Sequence, residues 1–72
     1  MVEKSTLELI GRLSDSLATL MEINYLPEDC EAILPDGVAA LREAKLIMGT
    51  HNHRITEQMV HWLGKVDAFR RH

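Results

Sequence analysis

Ile10, Leu13, Leu17 and Leu20 recur at spacings of three, four and three residues, with Leu7 and Met21 widening the stripe. Apolar residues spaced this way share one face of a helix. Ser14, Asp15, Ser16 and Thr19 fall mostly outside it. Ser5 precedes Glu8 by three positions, the spacing of a capping box, so the first predicted helix covers about residues 5–23. Gly11 lies inside it, where glycine costs about 1 kcal/mol relative to alanine. It is read as permitting a close helix approach.

Asn24-Tyr25-Leu26-Pro27 interrupts this pattern. Proline suits a first helical position and acidic side chains suit a first turn, so PEDCEAI reads as a short helix beginning at Pro27 and stopped by Pro35. Asp36 is the next N-cap candidate. Val38, Leu41, Ala44 and Met48 then share a face, with Leu46 and Ile47 beside it, and Gly49 supplies the stop.

In the last segment, Ile55, Met59, Trp62, Leu63, Val66 and Phe69 form a 3.6-residue stripe over about four turns. Asn52 is its expected N-cap, and Arg70, Arg71 and His72 complement the negative end of the helix dipole. No run alternates as a strand between hairpin turns. The expected fold is all-α, a small helical hairpin or three-helix bundle with a short extra helix.

Seventy-two residues make one domain, residues 1–72. A chain this short buries only about 60% of the surface its unfolded form exposes, and Cys30 has no second cysteine to pair with. A metal or a second subunit is therefore the expected supplementary stabiliser. Stripes on residues 7–21 and 55–69 exceed what one thin core covers, which favours a homodimer. Its interface candidates are Leu13, Leu17, Leu20, Met59, Trp62, Leu63, Val66 and Phe69. No segment has the ~20 apolar residues needed to cross a bilayer. With a lone cysteine and no export-type leader, the expected setting is the cytoplasm, with no membrane partner.

Charge is uneven. Residues 1–48 carry four Lys/Arg against nine Asp/Glu, a balance of −5; residues 49–72 carry four against two, a balance of +2, for a net −3. The acidic front and basic tail can attract each other within or between chains.

The stretch GTHNHRITEQMVHW holds three histidines and the single tryptophan. His51 and His53 are two apart and His61 lies eight beyond, whereas helical ligand pairs share a face at three or four. No metal or other cofactor is expected, and His61 is read as a helical pair with Glu57. Cys30 sits in Glu-Asp-Cys-Glu, whose charges oppose thiolate formation. It is read as a packed residue, and no enzyme activity is expected.

A helix-turn-helix outline is the rival reading, with residues 38–48, a turn at 49–52 and a helix from His53. Its base-reading residues would be Arg54, Gln58, His61 and Lys65. The acidic balance and an off-register Ala44 oppose it. The expected function is a non-enzymatic protein–protein interaction module: a homodimeric regulator, adaptor or inhibitor of another protein. Its association with small bacterial or phage-encoded regulators is by analogy alone.

Overall fold

A computed structural model describes residues 2–70 of the chain. Four helices and no strand are present among them: α1 (Lys4–Asn24), α2 (Pro27–Ile33), α3 (Pro35–Thr50) and α4 (Glu57–Arg70). Helices α1, α3 and α4 form a three-helix bundle, and short α2 closes one end against α4 and α3. The radius of gyration is 12.1 Å, against about 11 Å for a compact chain of this length. The extents are 36 × 22 × 19 Å, and the 21 residues of α1 alone span about 31 Å.

Helix starts differ from the expected ones. Ser5 does not cap α1: Glu3 is at the N-cap position without a side-chain cap, and Ser5 lies in the first turn with Oγ 3.5 Å from Glu3 Oε2. The Leu7 amide donates to the Glu3 carbonyl at 3.0 Å, which starts the helix at Lys4, one residue before the expected position. Asp36 does not cap α3 either. Pro35 is itself the first helical residue, which needs no amide there, and Asp36 falls in the first turn.

The α3–α4 junction is the largest departure. Gly49 stays helical and α3 runs on to Thr50. Asn52 adopts the left-handed conformation, φ 55°, and is not the N-cap of α4. The Asn52 amide donates to the Gly49 carbonyl at 3.0 Å and the His53 amide to the Met48 carbonyl at 2.8 Å. This is a Schellman ending with asparagine in the usual glycine place. Residues 53–56 are non-helical, and α4 begins only at Glu57. Ile55 therefore packs on the core from the linker rather than from a helix.

The core is built from Ala18 and Met21 of α1, Cys30 of α2, Val38, Leu41, Ala44 and Met48 of α3, and Met59, Trp62, Leu63 and Val66 of α4. Trp62 is 1% exposed and is the largest side chain in it. Its indole Nε1–H has no hydrogen-bond partner. The neighbouring Cys30 sulfur is a weak acceptor and falls short of a full bond.

On α1 the buried face is Leu7, Gly11, Ser14, Ala18 and Met21. The expected core stripe is thus rotated. Ile10 and Leu17 are half-buried, while Leu13 and Leu20 are 62% and 58% exposed. Small side chains, Gly11, Ser14 and Ala18, occupy the middle of the α1 buried face, with Leu7 and Met21 buried toward its two ends. Gly11 is read correctly: a Cβ there would stand 3.2 Å from Met48 Cε and 3.4 Å from Thr56 Cγ2. Phe69 is 48% exposed, so the α4 stripe is buried only through Val66. Arg71 and His72, expected at the end of that helix, lie outside the described residues.

Two outcomes follow. Asn52→Gly should leave stability within about 0.5 kcal/mol, while Asn52→Val, forced to positive φ, should lose about 1–2 kcal/mol in urea denaturation. Trp62→Ala should cost about 3–5 kcal/mol. That is most of the ~5 kcal/mol available to a domain near the lower end of the natural range. Circular dichroism should show it largely unfolded at 37 °C, and retained cooperative melting near the parent temperature would refute the central role of Trp62.

Candidate functional site

The outward side of α1 carries four of the nine exposed large hydrophobic side chains among the described residues. Leu9, Leu13, Leu20 and Ile23 are 47%, 62%, 58% and 73% exposed. With Ser16 between them they recur at four, three, four and three, the a/d spacing of a heptad. At 100° per residue this stripe points roughly 160° away from the buried face. Thr6, Ile10, Leu17 and Asn24 flank it, so the stripe and that flank carry no charge. The charged residues Lys4, Glu8, Arg12, Asp15 and Glu22 occupy the opposite flank.

The sequence-derived interface candidates separate into two groups. Met59, Trp62, Leu63 and Val66 are closed inside the chain's own core. Leu13 and Leu20 are presented outward, Leu17 borders them half-buried, and Phe69 is exposed at the end of α4. Leu9 and Ile23 belong to the surface and were missed because the leucine-rich stripe was read for a 3.6-residue core face. Reading residues 9–23 at a 3.5-residue repeat brings them in.

Three of the four candidate base-reading residues, Gln58, His61 and Lys65, are gathered onto Glu22 of α1. Gln58 Nε2 donates to Glu22 Oε1 at 3.2 Å, and Lys65 Nζ to Glu22 Oε2 at 3.0 Å. His61 Nε2 is 3.0 Å from the same Oε2. Arg54 is 84% exposed at its side chain and pairs with Glu57 at 3.4 Å, which leaves the expected Glu57–His61 pair unmade. Glu22 is the focus of the cluster, and nothing local in the sequence marks it, since Gln58 and Lys65 stand 36 and 43 positions away. The hydrogen bond from Lys65, then that from Gln58, hold the Glu22 carboxyl below the usual carboxylate range, with partial burial opposing them.

A second polar cluster joins three helices. Arg42 of α3 donates to Glu31 of α2 at 2.8 Å and to Asp67 of α4. Arg70 approaches Glu31 at 3.8 Å. The basic tail thus meets the acidic front inside one chain at Lys65–Glu22 and Arg70–Glu31.

The remaining chemistry is closed off or dispersed. Cys30 is fully buried; burial pushes its thiol up, the Trp62 N–H pulls the other way, and Glu31 adds to the rise. His51 is exposed and His53 half-buried, both in the turn after α3. An open groove between α1 and the start of α4 is lined by Glu8, Arg12, Asp15, His53, Arg54 and Glu57, a mixed-charge rim without a dominant sign. Among the described residues, no three His, Cys, Asp or Glu side chains converge as a metal cluster. No helix there is long and apolar enough to cross a membrane.

The Glu22 cluster gives a pH signature. A carboxyl whose folded pKa is depressed stabilises the fold above its unfolded pKa, and that contribution is lost as pH falls through the folded value. Glu22→Gln should therefore melt below the parent at pH 7. The gap should narrow as pH falls below about 4.5. A melting-temperature gap unchanged from pH 7 to pH 3 would show that ionised Glu22 is not what holds α4 to α1.

Comparison with protein-family models, with curated proteins and with solved structures gives no match, so the functional reading rests on the geometry of this chain.

Proposed function

We infer that the chain is a non-enzymatic protein–protein interaction module that works as a homodimer and regulates, adapts or inhibits another protein. The observation carrying this is the uncharged α1 stripe of Leu9, Leu13, Leu20 and Ile23, laid out at coiled-coil spacing on a helix already packed on its other side. A contiguous apolar strip of this kind on a small acidic chain marks an interaction site. The strip is self-complementary, because an apolar seam with one neutral flank meets its own copy without an unpaired charge. A C2 dimer uses the same patch on both subunits.

The polar groups favour the same reading. Glu22 and Arg42 tie α1, α2, α3 and α4 together rather than converging on a cleft. A membrane-surface role is less apt: interfacial helices carry many Lys/Arg on the polar face, whereas here Lys4 and Arg12 alternate with Glu8, Asp15 and Glu22. The DNA-binding alternative is weakened twice. Six residues, 51–56, separate α3 from α4, where a helix-turn-helix uses about three or four. Gln58, His61 and Lys65 are also already engaged with Glu22.

In analytical ultracentrifugation at micromolar concentration the chain should have about twice its 8.2 kDa mass. The double variant Leu13→Glu/Leu20→Glu should weaken association by at least about 100-fold, since the charges would have to be desolvated in the seam. Helical circular dichroism should be kept, because both positions are exposed in the monomer. A parent chain that stays monomeric up to hundreds of micromolar refutes the dimer.

A further inference from the structure

We propose that the two copies pair their α1 helices antiparallel, with Leu9 against the partner's Leu20 and Leu13 against the partner's Ser16. This rests on the dimer reading above and adds its direction and register. The proposal comes from the residue sizes along the seam. Reading outward positions from the start of α1 gives Thr6, Leu9, Leu13, Ser16, Leu20 and Ile23, with the one small side chain among the leucines at Ser16. An in-register parallel pair would stack Ser16 on Ser16 and leave a gap at the middle of the interface. The antiparallel register sets each Ser16 opposite a Leu13. It also sets each Thr6 opposite an Ile23, so each small seam residue faces a large one, while Leu9 packs on Leu20.

The flanks agree with this direction. On the neutral side, Ile10 meets the partner's Leu17, which extends the apolar contact. On the charged side, Arg12 stands across from the partner's Thr19. The partner's Asp15 lies one turn before that threonine, within reach of a guanidinium. The partner's Glu22, one turn after it, is held by Lys65 and Gln58 of its own chain. A parallel pair would instead place Arg12 against the partner's Leu17 and leave Asp15 without it. Antiparallel pairing also opposes the two α1 macrodipoles. The seam faces away from α3 and α4, so the bundles lie on opposite sides of the pair and do not collide. From residue 9 to residue 23 the seam is about 21 Å long.

Cross-linking of two single-cysteine additions, Thr6→Cys and Ile23→Cys, reads the direction. Both sites are exposed, and native Cys30, fully buried, stays in place with the parent chain as control. The variants are oxidised with diamide separately and as a 1:1 mixture after subunit exchange. In the antiparallel pair residue 6 meets residue 23 of the partner. Like positions lie about 25 Å apart, far beyond the ~7 Å Cα limit of a disulfide. The mixture should give at least about tenfold more covalent dimer than either variant alone, because only it brings the two thiols within disulfide range. Strong self-cross-linking of each variant, with a dimeric mass, would overturn the direction and leave the α1 dimer standing. A dimeric mass with no cross-link in any sample would overturn both the register and α1 as the seam. A monomeric mass would remove the dimer reading itself.

Discussion

The rest of the molecule depends on how closely α1 lies on α3 and α4. Gly11, Ser14 and Ala18 are the middle of its buried face, framed by Leu7 and Met21. At Gly11 one methyl group would crowd the Met48 methyl at 3.2 Å and touch Thr56 at ordinary van der Waals distance. Opposite these small residues Trp62, Leu41, Met48 and Met59 fill the interior, joined from α1 by Ala18 and Met21. The close approach also dictates where the leucines of α1 go. With small residues inside, Leu9, Leu13 and Leu20 have only the outside left.

The polar groups complete what close packing begins. Glu22 stands in the last turns of α1 and receives Gln58 and Lys65 from one face of α4, fixing how α4 lies along α1. Arg42 does the same for α2, α3 and α4 by way of Glu31 and Asp67. Partly exposed ion pairs are individually weak. Here they link helices that the apolar core alone already brings together, joining α1 to α4 at Glu22 and α2, α3 and α4 at Arg42.

Local chemistry was legible in the sequence where it acts alone. Pro27 followed by Glu28 and Asp29 marks the start of α2, and Pro35 separates α2 from α3, because proline's fixed φ and missing amide act whatever surrounds them. The buried positions of α3 were also readable, since Val38, Leu41, Ala44 and Met48 are both the periodic and the buried set. Ambiguity begins where two helical faces compete. On α1 a leucine stripe looks like core by hydrophobicity alone, and what overrides it is volume, which depends on Trp62 more than forty positions away. Asn52 misled for a related reason: asparagine serves both as an N-cap and as a left-handed C-terminal residue, and the Met48 and Gly49 carbonyls decide between them. Of the α1 surface stripe, Leu13 and Leu20 were visible as apolar positions but not as outward ones, and Leu9 and Ile23 lay outside the 3.6-residue pattern.

Placing the sole indole at the centre of the core, beside the α2 thiol, also settles what light reports about this chain. Sulfur is an efficient quencher of excited indole at short range, so emission should be dim and blue-shifted when folded. It should brighten and move red once α2 and α4 part. The chromophore is remote from the outer side of α1, so assembly along that side would be optically silent. A label placed outside the core would be needed to follow one chain meeting another, while the native fluorescence would follow only the folding of each.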